Sequence, residues 1–328
     1  MHTTSTDLAQ PLVAMPEPEA ASTISARGLT RSFGNHIAVN GINLELRRGE
    51  VLGFLGPNGA GKTTTMHMLT GNLAPSRGEI RICGIDLLED PSAAKARIGY
   101  LPEVPPLYRE LTVNEYLLLA SRLHRVPRAR RGEAVATVRQ RCGLADVGGK
   151  LIGTLSKGYQ QRVGIAQAIV HSPDVVVLDE PTVGLDPNQI RDIRALIREL
   201  GGAHSVILST HILPEVEAVC DRVQIMHHGE LVYSDTIAAL KQFESGATLL
   251  VGLRRPPPAD ELAALPGVAA VDAVEPTRFR VQFAAGKDPT DALVKAAAAR
   301  DWGLYQLNPA QTSLEDVFVH LTRREDGA

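Results

Sequence analysis

The sequence predicts an α/β chain built on a parallel sheet, and three observations carry that prediction. An apolar run at residues 51–55 ends in the loop Gly56-Pro57-Asn58-Gly59-Ala60-Gly61-Lys62-Thr63-Thr64, the strand, glycine-rich loop and helix start of a phosphate-binding unit. Val175, Val176, Val177 and Leu178 form a second apolar run that delivers Asp179 and Glu180 at its end, the pattern of a buried central strand. A third run at residues 205–208 leads to His211. Open parallel sheets place their chemistry at the carboxyl ends of such strands.

Length and composition set the bounds. The 328 residues are 44% hydrophobic and 22% charged, enough for one large domain and a smaller one. A net charge of −3 gives no support to a binder that relies on attraction to nucleic-acid phosphates. Cys83, Cys142 and Cys220 are widely spaced, so neither a disulfide framework nor a zinc site is expected, and a reducing compartment fits. The first twenty residues carry no Lys or Arg and no run reaches the length of a membrane span, so neither a signal peptide nor a spanning helix is expected.

In chain order, residues 1–22 with Pro11, Pro16 and Pro18 read as a flexible tail. Strands follow at 24–33 and 42–46 around a Gly34-Asn35 turn. A helix is expected at 63–73, a strand at 79–83, and another from Ile98 that stops at Pro102. Residues 112–171 lose strand character and show helical spacing in Val113, Tyr116, Leu117, Ala120 and Leu123, an insert spanning about 105–171. Within it lies the basic run Arg122, Arg125, Arg128, Arg130 and Arg131, either a solvated helix end or a contact for anionic headgroups or an acidic partner. Ser156 is placed to cap the helix through Ile169, and a helix at 188–200 follows the turn at residues 184–187. Strands at 223–226 and 231–233 flank His227-His228-Gly229-Glu230, histidines better suited to a hairpin turn than to a metal. The main domain is expected to end near residue 244. Beyond it, residues 245–328 read strand, helix, strand, strand, helix, strand, a small ferredoxin-like α+β module closed by a helix at 313–321, with Trp302 as a core or interface anchor.

The chemistry follows from the residue types. Glycines at 56, 59 and 61 let successive N–H groups point inward as an anion nest at a helix start. Lys62 would reach the outer phosphates of a polyphosphate, and Thr63 would ligate Mg²⁺. Asp179 is suited to hold the metal, and Glu180 to deprotonate an attacking water. His211 is a candidate to hydrogen-bond the terminal phosphate or that water, and Phe33 an aromatic that either stacks on a purine or packs in the core. The complete architecture expected is a P-loop NTPase core with an antiparallel β subdomain, the helical insert and the C-terminal module.

The order and spacing of the phosphate loop, residues 155–160, Asp179-Glu180 and His211 resemble the nucleotide-binding subunit of ABC transporters over roughly residues 24–240. Leu155-Ser156-Lys157-Gly158-Tyr159 is similar to the family's L-S-G-G-Q signature, departing at Lys157 and Tyr159. Glu103 occupies the place of the family's switch Gln, where a carboxylate ligates Mg²⁺ but cannot donate as an amide does. The resemblance implies ATP and Mg²⁺ as cofactors, Phe33 on the adenine, Glu180 as general base, His211 as switch histidine and Asp186 as dimer-coupling aspartate. It also implies Ser156 and Gly158 acting on the nucleotide of a second copy, or of a close relative. It further implies an integral membrane permease as partner and a cytoplasmic location on the inner face of the membrane. Leu101-Pro102-Glu103 with residues 313–318 looks like the ATPases of ABC-2-type exporters, including gliding-motility and multidrug efflux systems. The rival is a soluble ABC ATPase acting on DNA or ribosomes; it lacks here the second nucleotide module or long coiled coil such proteins carry.

Overall fold

The computed structural model describes residues 22–240, 248–283 and 287–309. The expected tail, apart from Ser22, lies outside them, as do the expected boundary near residue 244 and the closing helix at 313–321. The chain opens with β1 (Ser22–Phe33), β2 (His36–Arg47), β3 (Val51–Leu55), α1 (Lys62–Leu69), β4 (Arg77–Ile82), β5 (Ile85–Asp86), α2 (Pro91–Lys95) and β6 (Ile98–Leu101). The insert supplies α3 (Val113–Leu123), α4 (Arg131–Arg141) and α5 (Lys157–Ile169). Then come β7 (Val175–Asp179), α6 (Pro187–Gly201), β8 (Ser205–Thr210), α7 (Leu213–Val219), β9 (Arg222–His227) and β10 (Glu230–Thr236).

Six strands form the main sheet in the order β10-β9-β3-β8-β7-β6, with β3, β6, β7, β8 and β9 parallel and β10 antiparallel at the edge. Every residue of β3, β7 and β8 is buried, which is why these segments read as unbroken apolar runs. Alternation along β7 then divides the core. Val176 and Leu178 face the insert helices and α6, whereas Val175 and Val177 face α1 and a second, antiparallel sheet of order β2-β1-β4-β5.

Several expected boundaries move: the strand expected at 42–46 already begins at His36 as β2, that expected at 231–233 extends over Glu230–Thr236 as β10, and two others shift for a local reason. Helix α1 stops at Leu69 because Gly71 turns left-handed (φ 69°) and the N–H groups of Asn72 and Leu73 both return to the His67 carbonyl at 2.8 and 3.0 Å. Cys83 leaves its strand for a left-handed turn with Gly84 (φ 49° and 80°). The expected histidine turn is present, His228 and Gly229 both lying at positive φ between β9 and β10.

The C-terminal region contains β11 (Thr248–Leu253), α8 (Ala259–Ala263), β12 (Val268–Glu275), β13 (Arg278–Phe283), α9 (Thr290–Ala299) and β14 (Leu304–Pro309). Its sheet order, β12-β13-β11-β14, all antiparallel, is that of a ferredoxin-like module. Leu249, Val251, Phe279, Val281, Leu293 and Trp302 form its own core, so Trp302 is a core anchor.

Candidate nucleotide site

The loop after β3 is shaped by contacts that leave no room for side chains. A Cβ on Gly56 would lie 2.4 Å from the Met226 carbonyl, and one on Gly61, at φ 106°, 2.4 Å from that of Ala38. The Ala60 N–H bonds to the Pro57 carbonyl at 3.2 Å, and the Ala60 carbonyl accepts from Gly229 at 3.0 Å, pinning the loop against the β9–β10 turn. Lys62, the first residue of α1, is buried and donates to the carbonyls of Gly56 (2.8 Å) and Pro57 (3.2 Å). Its ammonium also stands 3.6 Å from Glu180 Oε1.

Glu180 follows β7 in a left-handed conformation (φ 49°) that a glutamate adopts at some cost, held by its N–H on the Ser209 carbonyl at 2.8 Å. Its carboxylate meets His211 Nδ1 at 2.9 and 3.0 Å, the histidine arriving from the neighbouring strand β8. The loop after β3 and the ends of the adjacent strands β8 and β7 thus bring a lysine and a histidine onto one glutamate.

Asp179 lies beneath this cluster, fully buried, with both carboxylate oxygens lacking a hydrogen-bond partner among the described residues. Burial pushes its pKa up; the Ser209 and Thr63 hydroxyls and the Lys62 charge pull it back without either hydroxyl reaching good hydrogen-bond geometry. A buried carboxylate with no donor, beside a threonine at the helix start, fits a hard divalent cation with oxygen ligands.

These groups open into a cavity of about 540 Å³ whose wall includes Phe33, Asn58, Gly59, Gly61, Lys62, Thr63, Thr64, Glu103, Glu180 and His211. Gly56, Pro57 and Ala60 shape the loop behind that wall. Phe33 is exposed at the rim, with the Arg31 guanidinium 4.7 Å from its ring centre on one face. The core alternative read for Phe33 is therefore the wrong one. Glu103 also borders a second groove, of about 390 Å³, with Leu107, Arg109, Lys157 and Gln160.

Three expected site residues stand apart from the cavity. Ser156 caps α5 through a long 3.5 Å contact from the Tyr159 N–H, and Gly158 lies so close to Gln189 that a Cβ would meet its side-chain oxygen at 2.7 Å. Asp186 caps α6, accepting from the N–H groups of Asn188 and Gln189 at 2.9 and 3.0 Å. Other participants were not legible in the sequence. His36 and Val183 line the cavity. Glu215 of α7 is buried and accepts hydrogen bonds from Thr182, two residues past Glu180, and from Thr210 (3.0 Å), one residue before His211. An acid in the first turn of a helix has an ordinary explanation in the helix dipole, so nothing in the sequence marks Glu215.

The fold and loop define a P-loop ATPase core. The ABC transporter family model matches residues 39–183. The Bacillus licheniformis "Bacitracin transport ATP-binding protein BcrA" is 39% identical over 211 residues, 64% of this chain and 68% of that one. The Paraburkholderia xenovorans (strain LB400) "Nod factor export ATP-binding protein I" is 34% identical over 311 residues, 94% of this chain and 99% of that one. Among solved structures, one described as "Structure of ATP binding subunit of ABC transporter" superposes with a TM-score of 0.62 at 30% identity, covering 68% of this chain and 93% of its own. The chain belongs to the ABC transporter ATP-binding proteins: it is an ABC-type ATPase that binds ATP and powers a membrane permease. No helix among the described residues is long and apolar enough to cross a membrane.

Proposed function

We propose that this chain is the ATPase subunit of an ABC-2-type exporter, sitting on the inner face of the cell membrane and working as a dimer that closes over two nucleotides. The observation that supports it most is an asymmetry within the chain. Lys62, Glu180 and His211 converge above the orphaned Asp179, while Ser156 and Gly158 lie outside that cavity at the start of α5. A second copy, or a close relative, supplying its Ser156 and Gly158 completes the pocket. The names of relatives that export Nod factor and transport bacitracin support the exporter reading.

In this mechanism the loop N–H groups and Lys62 take the phosphates, Lys62 exchanging the carbonyls of Gly56 and Pro57 for phosphate oxygens. Phe33 offers its free face to the adenine. Asp179 and Thr63 would hold Mg²⁺, which supplies charge neutralisation to the phosphates. Glu180 orients the attacking water and takes its proton, and His211 at 2.9 Å keeps the carboxylate aimed across the cavity. Bound nucleotide favours the closed dimer by its differential affinity for that state, and hydrolysis removes the group that bridges the copies. Glu103 joins the cavity to the second groove, where residues 102–108 and the insert form the docking surface for the permease.

The test is Ser156→Ala. Turnover should fall about 10- to 100-fold while a single chain binds ATP as before, because the lost donor serves the other copy's phosphate. Wild-type turnover per chain that is independent of protein concentration would remove the dimer. Extraction of the tagged chain with mild detergent should bring a membrane subunit; recovery only with ribosomes or DNA would replace the exporter reading.

A further inference from the structure

The basic run of the insert occupies a loop that folding alone does not account for. Arg122, Arg125, Arg128 and Arg130 are all exposed, and none forms an ion pair or hydrogen bond through its side chain among the described residues. Between Arg122 and Gly132 the chain carries no carboxylate. Arg122, in the last turn of α3, complements the helix dipole, but Arg125 and Arg130 work against their surroundings. Arg125 sits at φ 57°, a conformation cheaper for Gly or Asn. Arg130 occupies the N-cap of α4 with no side-chain cap, where the dipole favours an acid.

The loop is nevertheless firmly built. Val126 is buried beneath it, its N–H bonded to the Ser121 carbonyl at 2.9 Å and its own carbonyl held by Arg131 Nε at 2.8 Å. Four guanidinium groups are therefore presented outward from a fixed knuckle. Beside them Leu123 is 71% exposed. The one ring in the stretch, His124, is stacked on His171 at 3.8 Å and offers no platform for a base.

We propose that this knuckle, Arg122 to Arg130 with Leu123, binds the anionic phospholipid surface of the membrane directly. Several arginines on a fixed loop match a sheet of phosphate charge, and an exposed leucine among them enters the headgroup region. Nucleic acid is disfavoured because a stacking ring is missing and the chain's net charge is −3. The proposal rests on the membrane location argued above, and vesicles that contain no permease test it separately from the permease partnership.

Flotation of the full chain with vesicles of phosphatidylcholine mixed with phosphatidylglycerol, against phosphatidylcholine alone, is the experiment. Binding to the mixed vesicles only, abolished by high salt, is expected. The variant R122Q/R125Q/R128Q/R130Q should bind about a hundredfold more weakly or worse, and L123S should lose less. Both variants should keep wild-type ATP turnover and melting temperature; if the quadruple variant melts early, the pair R128Q/R130Q replaces it, with an intermediate loss expected. Equal binding to both vesicle types, no binding by the wild type, unchanged binding by the variants, or tighter binding to an oligonucleotide than to anionic vesicles would each overturn the proposal.

Discussion

The cavity beside the phosphate loop and the stretch at residues 155–160 belong to one chain but are built in opposite ways. The cavity is made at strand ends, where neighbours in a sheet bring Lys62 and His211 each within contact distance of Glu180. The stretch at 155–160 begins a helix of the insert, and its polar groups serve that helix: Ser156 caps it and the Gln160 amide donates to the Leu155 carbonyl at 3.0 Å. One region is assembled within the chain; the other is only presented by it. Reactive groups that the fold itself brings together define an ATP site, whereas the groups at 155–160 act on a nucleotide only under the dimer proposed above.

The largest expected effect is on the cavity's chemistry. Glu180→Gln keeps the shape and removes the base, so phosphate release should slow about a thousandfold with ATP affinity nearly unchanged. Near-normal turnover would make the cavity no more active than the signature face. Next is Glu215→Ala. Leaving the Thr182 and Thr210 hydroxyls buried without an acceptor should cost about 2–4 kcal/mol in urea unfolding, with Glu215→Gln recovering much of it. An unchanged midpoint would show that the two site loops stand without this strut.

The third prediction concerns how the insert is fastened. His124, after α3, stacks on His171, after α5, and His171 Nε2–H donates to the Ile98 carbonyl of β6 at 3.1 Å. Burial first, and the His124 ring second, push the His171 pKa down from 6.5 to about 4. A histidine that is neutral when folded and charged when unfolded contributes stability above pH 6.5 that is lost as pH falls towards 4. For this partly exposed ring the loss should be about 2 kcal/mol, read as a fall in melting temperature over that window. His171→Gln should flatten the fall; an identical slope would place the acid sensitivity elsewhere. The smallest effect belongs to Asp179→Asn. Burial raises the Asp179 pKa, so its ionised form destabilises the nucleotide-free chain above the ordinary carboxylate range, and the penalty disappears as pH drops. Removing the charge should raise the melting temperature by about 2–4 °C at neutral pH while abolishing stabilisation by added Mg²⁺. A lower melting temperature would mean the carboxylate has donors after all.

The sequence by itself determined the strands and what stands at their ends. Buried parallel strands need continuous apolar runs, and a loop that wraps phosphate needs glycines and a lysine at fixed offsets, so residues 51–64 and 175–180 carried their own meaning. Local periodicity likewise gave the C-terminal alternation of strands and helices. Strand order was beyond it, because β8 pairs on one side with β3, Val51 opposite Val206 far along the chain, and on the other with β7, Val175 opposite Ser205, and no local pattern specifies either partner. Only the tertiary structure could therefore show that Glu180 is gripped by both Lys62 and His211, that Asp179 is left without a donor, and that Glu215 ties together the loops that carry the chemistry. Contacts of that range leave no period in a sequence, and a carboxylate reads alike whether it caps a helix, faces water or waits for a cation.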